Sequence, residues 1–284
     1  MHIVVCIKQV PDSAQIRVHP VTNTIMRQGV PTIINPYDLF ALEEALRLRD
    51  SLGGQVTVLT MGPPTAADSL RKTLTFGADR AVLLTDRFFA GSDTLATSYA
   101  LSMALQKIAE EFGAPEIIFT GKQTIDGDTA QVGPGIAKRL KYNQLTYVAK
   151  IVETDLPAGT ITVERRAEGG TQLLQTRLPA LITMLEATNE MRRGSIENAL
   201  LAARAEVITW NAADVAIDDL TKCGLRGSPT IVKKVFAPGA RSEKAHIVDV
   251  DGGPETCAEA LITEIFSRQP GVEQDLLEFA AHSY

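Results

Sequence analysis

Thr120-Gly-Lys-Gln-Thr-Ile-Asp-Gly-Asp-Thr-Ala-Gln-Val-Gly-Pro134 decides how this 284-residue chain is read. An apolar run, Glu116-Ile-Ile-Phe119, leads into it as a buried strand, and a helical pattern, Ile136-Ala-Lys-Arg-Leu140, leads out. A strand that opens through small and polar residues into a helix is where α/β proteins hold ligands. The stretch carries three glycines, two aspartates, two amides and three hydroxyls. Main-chain N–H groups at such a turn, beside a helix N-terminus, suit phosphate oxygens. An ordinary βα loop, in which Gly and Asp only make the turn, is the other reading. The density of polar side chains in one loop favours a ligand.

Upstream, the chain alternates between short apolar runs and helical patterns. His2-Ile-Val-Val-Cys-Ile7 is continuous and apolar, as expected of a strand covered on both faces. Lys8-Gln-Val-Pro-Asp12 ends it, and a hairpin-like polar segment follows through Arg17 to Asn23. A helix then starts at Ile33-Ile-Asn-Pro-Tyr-Asp38, with Leu39, Leu42 and Leu46 on one stripe and Glu43 paired with Arg47. Gly53-Gly54 stop it. Gln55–Thr60 and Arg80–Thr85 read as further strands, with a helix near 65–75 between them. Asp93-Thr-Leu-Ala-Thr-Ser98 opens a long helix to Gly113, with Asp93 as N-cap. This alternation predicts a Rossmann-like α/β fold, a parallel sheet with helices on both faces. The polar loops after the four strands then gather along its carboxyl edge, the ligand side of an open α/β sheet.

Beyond residue 144 the texture changes. Leu145–Val152 and Thr160–Arg165 flank Leu156-Pro-Ala-Gly159 as an antiparallel hairpin. Leu173–Arg177 and Ala180–Met184 add strands, so an antiparallel extension of the same sheet is expected. From about 186 the core-like runs thin out, through Arg192-Arg193, a helical Ile196–Arg204, a strand-like Glu206–Trp210 and Gly224-Leu-Arg-Gly-Ser-Pro-Thr230. A segment this long without a core of its own predicts an arm that embraces a partner. The expected division is an α/β nucleotide domain over 1–185 and a C-terminal arm with a helical tail over 186–284. The tail is helical around Cys257–Phe266 and Glu273–Ala281.

Composition narrows the function. At 45% hydrophobic residues the chain buries a substantial core. A net charge of −6 argues against a broad basic face for nucleic acid. Three scattered cysteines, without CxxC spacing or secretory signs, point to reduced thiols in a cytosol. Four distant histidines offer no metal site. The first apolar run is far too short for a signal region or a membrane span, so a cytoplasmic protein without direct membrane insertion is expected. No GxGxxG follows a strand, and neither a Walker A sequence nor a GxSxG elbow occurs. Redox chemistry would therefore have to be carried by a bound cofactor. Thr94 and Thr97 lie in the first turn of a helix, where hydroxyls and N–H groups hold phosphate or merely cap the turn. Asp126 and Asp128 suit a ribose, or equally a cap.

The chain resembles the β subunit of an electron-transfer flavoprotein over about residues 1–240. The most specific part is Val163-Glu-Arg-Arg-Ala-Glu-Gly-Gly-Thr-Gln-Leu-Leu174 followed by Leu178-Pro-Ala-Leu-Ile-Thr183. Asn35-Pro36, Met61-Gly62-Pro63 and Gly121-Lys-Gln123 are similar to the family's nucleotide-contact loops. Asp93–Ser98 and Ile125-Asp-Gly-Asp-Thr-Ala-Gln-Val-Gly133 resemble its electron-bifurcating branch, and the whole chain is most similar to the Fix-type subunit of nitrogen-fixing bacteria.

The resemblance implies a heterodimer with an α subunit. In the ordinary branch the β subunit holds AMP. In the bifurcating branch an FAD there is reduced by NADH. One electron then goes through the α-subunit FAD towards a quinone oxidoreductase, the other to ferredoxin or flavodoxin, with ferredoxin-like subunits as further partners and membrane association only through them. Carried onto this sequence, Cys6, Asn35, Pro36, Tyr37, Asp38, Met61 and Gly62 would line the cofactor. Thr94 and Thr97 would contact its phosphates. Gly121, Gln123, Thr124, Ile125, Asp126, Gly127, Asp128, Thr129, Ala130, Gln131, Val132 and Gly133 would form the remaining wall. Asn189-Glu-Met-Arg192 resembles the start of the docking arm, with Met191 where the family has proline, and the docking leucine aligns with Ile196.

Overall fold

The protein is described from a computed structural model that covers residues 1–12, 31–233, 247–248, 251 and 253–281. The hairpin-like segment expected through Arg17–Asn23 lies outside the described residues.

β1 (His2–Cys6) shows why the sheet forms. Its side chains alternate between two cores. Ile3 and Val5 meet α1 (Pro36–Leu52) and α2 (Ala67–Thr75), whereas Val4 and Cys6 meet α3 (Thr94–Phe112) and α4 (Val132–Leu140). Both faces are closed, so the run is apolar without alternation. Each fully buried Val or Ile adds about 1.5–3 kcal/mol. α1 begins with Pro36, whose fixed φ suits the first turn, and ends where Gly53 takes φ 76°. Asp93 caps α3 by accepting from the N–H groups of Leu95 and Ala96. β2 (Gln9–Pro11) and β3 (Thr32–Ile34) pair antiparallel beside this layer.

The main sheet adds β4 (Gln55–Met61), β5 (Arg80–Leu84), β6 (Ile117–Gly121), β7 (Asn143–Asp155), β8 (Thr160–Ala167), β9 (Gly170–Arg177), β10 (Ala180–Met184) and β11 (Ile208–Trp210). Their order is β11-β5-β4-β1-β6-β10-β7-β8-β9. β11 through β7 are parallel neighbours, and β7-β8-β9 pair antiparallel. From β1 the chain steps outward to β4 and β5, then returns to the opposite side of β1 as β6. The chain after β1 turns onto one face of the sheet as α1 and the chain after β6 onto the other as α4, which makes this the switch point where ligands enter such sheets.

Two strands sit elsewhere than the sequence order predicts. β10 is not part of the antiparallel extension but a central parallel strand between β6 and β7, with all five residues buried. Its continuous apolar run has the composition of a strand covered on both faces, and only its position after the hairpin disguised it. β11, read as part of an arm, forms the far edge of the sheet against β5. There Trp210 stacks on Phe112 with ring centroids 6.3 Å apart.

The segment between β10 and β11 also packs on its own chain. Arg192 reaches Glu43 on α1 at 2.9 Å, Met191 packs against the α1 side of the core, and α5 (Ile196–Arg204) lies on α2. Met1–Phe236 form one compact unit and Ala237–Tyr284 a second. The second contains α6 (Pro254–Arg268) and α7 (Pro270–Ala281), neither of which buries a residue. No described helix is long and apolar enough to cross a membrane.

Candidate nucleotide site

Two buried polar side chains at the start of α1 join the loops that follow β1 and β6. Asp38 accepts from the main-chain N–H of Lys8 at 2.7 Å and from that of Gly121 at 3.0 Å. Asn35 donates to the carbonyl of Gln123 at 2.9 Å and accepts from the N–H of Ile125 at 3.1 Å. Both residues are buried, so these bonds satisfy groups that water does not reach. Burial pushes the Asp38 carboxyl up to about 7, against the opposing bonds from Lys8, Asn35 and Gly121. A side chain at 121 has no room, because its Cβ would lie 2.5 Å from Asp38 Oδ1 and 2.6 Å from Tyr37 Cβ. Glycine at 121 is thus what lets α1 approach β6.

Cys6 ends β1, level with Thr120 on β6. It is buried, and burial together with the Asp38 charge raises its thiol to about 12. A neutral thiol of this kind forms a wall and does not act as a nucleophile. Met61 ends β4, and the Gly62 N–H donates to the Leu84 carbonyl at 3.1 Å. The half-buried Pro36, Tyr37, Met61 and Gly62 thus stand at the carboxyl ends of β1, β4 and β6.

The loop from Gln123 to Gln131 folds as a cradle. The N–H groups of Gly127 and Asp128 turn back onto the Thr124 carbonyl, and Gln123 donates to Asp128 at 2.8 Å. Asp128 and Ala130 take φ of 50° and 55°, a left-handed conformation that costs about 1–3 kcal/mol in non-glycine residues and gathers at ligand sites. Thr129 lies exposed between them. Gln131 supplies no side-chain cap to α4, so the helix start is open towards the loop. Gly133, in the first turn, lies close to β6 and β10, where a Cβ would sit 2.9 Å from Thr120 Oγ1. These left-handed turns, the close-lying glycine and the uncapped helix start fit a phosphate-bearing nucleotide.

The start of α3 closes the opposite side. Thr94 Oγ1 donates to Gln131 Oε1 at 2.8 Å, which ties it to α4. Thr97 is half-buried one turn further along. The amides of Leu95 and Ala96 are taken by Asp93 and the Thr94 proton by Gln131, so an anion at α3 would meet the Thr97 hydroxyl or draw the Thr94 hydroxyl away from Gln131.

Two lysines complete the surroundings without having been singled out in the sequence. Lys8 forms an ion pair with Asp126 at 2.7 Å, spanning the β1 and β6 loops. Burial alone would raise Asp126, but Lys8 and Thr124 hold its carboxyl below the usual range. Lys122 places its ammonium 5.5 Å from the Tyr37 ring and 5.6 Å from the Tyr147 ring. Their signal was positional, since Lys8 closes the first strand and Lys122 stands inside the Gly121-Lys-Gln123 triplet. Among the described residues no cluster of His, Cys, Asp or Glu has the makings of a metal site.

This edge, an open α/β sheet with left-handed turns and an uncapped helix start at its switch point, has the geometry of a nucleotide-binding module. A family profile described as "Electron transfer flavoprotein domain" matches residues 22–215, and the chain belongs to that family. Within it the chain is a Fix-type β subunit. It is 75% identical to Protein FixA of Azorhizobium caulinodans over 99% of both chains. To Protein FixA of Azotobacter vinelandii it is 63% identical over 99% of this chain and 100% of that one. A third relative, the electron transfer flavoprotein subunit beta of Clostridium acetobutylicum, is 47% identical over 82% of this chain and 87% of its own.

Proposed function

We propose that the chain is the β subunit of an electron-bifurcating electron-transfer flavoprotein, holding FAD at the carboxyl edge of its sheet and serving nitrogen fixation. A flavin held there would supply hydride acceptance from NADH and one-electron transfer, towards quinone by way of an α-subunit flavin and towards ferredoxin or flavodoxin. The observation that carries the reading is the bridge from Thr94 to Gln131, which brings two helix starts to one place. A diphosphate needs a longer anion cradle than a single phosphate does. Favourable charge at a helix N-terminus contributes about 0.3–1 kcal/mol, up to about 2 when partly buried.

The chain's own part is to bind and orient. Asn35 and Asp38 hold the two loops in register, the 124–133 loop and α4 take one phosphate, and Thr94 with Thr97 take the other. Cys6 and Met61 give the cofactor an apolar wall. The α subunit, a quinone oxidoreductase and ferredoxin-like subunits are the proposed partners, with the face around the exposed Ile196 at the start of α5 as a docking surface.

A second reading, an ordinary β subunit holding AMP structurally, has one observation of its own. Asp93 occupies the Leu95 and Ala96 amides, leaving α4 as the uncapped helix start of the pair. Flavin and nucleotide counting on the purified αβ complex separates the two. Two FAD per heterodimer is the expected result, and one FAD with one AMP overturns the bifurcation reading.

A further inference from the structure

Gly224-Leu-Arg-Gly-Ser-Pro-Thr230 packs on the loop that leads into α3. Ser228 is buried and accepts from the main-chain N–H of Asp93 at 2.8 Å, while its hydroxyl donates to the Gly224 carbonyl at 2.7 Å. Thr230 donates to Asp93 Oδ2 twice, from its N–H at 3.1 Å and from its hydroxyl at 2.8 Å. The Gly224 N–H donates to Ser92 Oγ at 3.1 Å. Gly224 itself has φ 57°, and a Cβ there would sit 2.4 Å from the Phe88 carbonyl oxygen. Leu225 packs so closely on Gly91 that a Cβ at 91 would meet it at 2.7 Å. The contacts are specific at both ends and exclude side chains at two glycines.

The carboxylate in the middle of this arrangement has two tasks. Asp93 Oδ1 caps α3, and Oδ2 is gripped by Thr230. The next residue is Thr94, whose hydroxyl bridges to Gln131, the residue that precedes α4. Hydrogen bonds therefore run from the strap to Asp93, and the adjoining peptide carries that anchorage to the Thr94 hydroxyl that faces the nucleotide loop. Four bonds join residues 132, 135 and 137 positions apart in sequence, far more than a passing surface segment makes.

We infer that residues 224–230 are a positioning strap of the nucleotide site, in which Ser228 and Thr230 act through Asp93 to fix the Thr94 hydroxyl and with it the second phosphate position. The inference rests on the FAD reading above. It assigns to the α3 start a rigidity that the helix alone does not have, because an N-cap on a free loop frays with its first turn. A single phosphate held by the α4 loop does not need the strap, and a diphosphate reaching α3 does.

The test uses the αβ complex with its β site emptied and retitrated separately with FAD and with AMP. Thr230 is exposed, so Thr230→Val removes the hydroxyl bond without opening the core. Thr230→Val is expected to weaken FAD binding about tenfold, the loss of one charge-assisted hydrogen bond, and to leave AMP within about twofold. Thr230→Ser restores FAD binding. Unchanged FAD affinity, or equal loss for FAD and AMP, overturns the strap. Should the unaltered complex take only AMP at this site, the FAD reading itself fails. Hydrogen exchange at the Leu95 and Ala96 amides of the emptied complex then decides the strap separately. Faster exchange in Thr230→Val supports it, and unchanged exchange overturns it.

Discussion

Replacing Arg192 with leucine removes the clasp between the segment after β10 and α1. Glu43 is 5% exposed at its side chain and accepts from Arg192 Nε at 2.9 Å and Nη2 at 3.1 Å, and from the Arg192 main-chain N–H at 3.0 Å. Nη1 reaches on to Asp50 at 2.6 Å. Breaking a fully buried pair costs about 3–5 kcal/mol, and exposed pairs contribute about 0.2–1. Arg192 is 29% exposed, and Arg47 still reaches Glu43 at 3.1 Å. The expected loss therefore falls between the two limits, at about 2 kcal/mol, or about 4–8 °C in Tm for a unit of this size. The acid limb identifies the cause. Burial alone would raise the Glu43 carboxyl, but the bonds and charge of Arg192 outweigh it and hold the group below its ordinary value of 4.5. A depressed carboxylate contributes stability that is present above the unfolded-state value and lost as pH falls through the folded one. The gap between the natural protein and the variant should thus narrow below about pH 4.5. Equilibrium urea unfolding at a series of pH values measures it. A gap under about 0.5 kcal/mol at neutral pH, or one undiminished in acid, refutes the reasoning.

Two further outcomes are expected. Gly121→Ala drives a methyl into Asp38 and Tyr37; a loss of about 1–3 kcal/mol in thermal or urea unfolding is expected, and a neutral variant would show that α1 and β6 have slack between them. Asp38 gives the opposite pH sign to Glu43. Its carboxyl is raised to about 7 from 3.8, so unfolding releases a proton in that window and stability falls as pH rises through it. Asp38→Asn should flatten the profile across the same window, a change of up to about 4 kcal/mol from end to end, and parallel profiles for the two proteins would exclude the titration.

The parallel core was legible because its strands are short, apolar and bounded by helical patterns. β1, β4, β5 and β6 fall where periodicity placed them, and so do α1, α3 and α5. β10 and β11 were misplaced for a different reason. Composition marks a strand as buried but says nothing of its neighbours, and Ala180–Met184 finds β6 only by crossing back under a long hairpin. The candidate residues gather along one sheet edge because loops after parallel strands must. What the sequence did not reveal was the bonding between them. Asn35 and Asp38, which the resemblance places along the cofactor, have side chains that hold the β1 and β6 loops together. Lys8 to Asp126 and Thr230 to Asp93 join residues more than a hundred positions apart, where no local pattern exists to announce them.

The position of β1 has a consequence for how the chain is made. It is made before the other strands of the main sheet, yet one of its two neighbours, β6, ends only at Gly121. β4 covers one side early, while the other side keeps a row of main-chain N–H and C=O groups unmatched until more than a third of the chain has followed. An apolar strand with such an open margin invites pairing with other chains. Pairings this distant also close slowly. The same centrality that places Cys6 beside the switch point therefore exposes the nascent protein to mispairing, and stalled or truncated products ending before β6 are the species expected to aggregate.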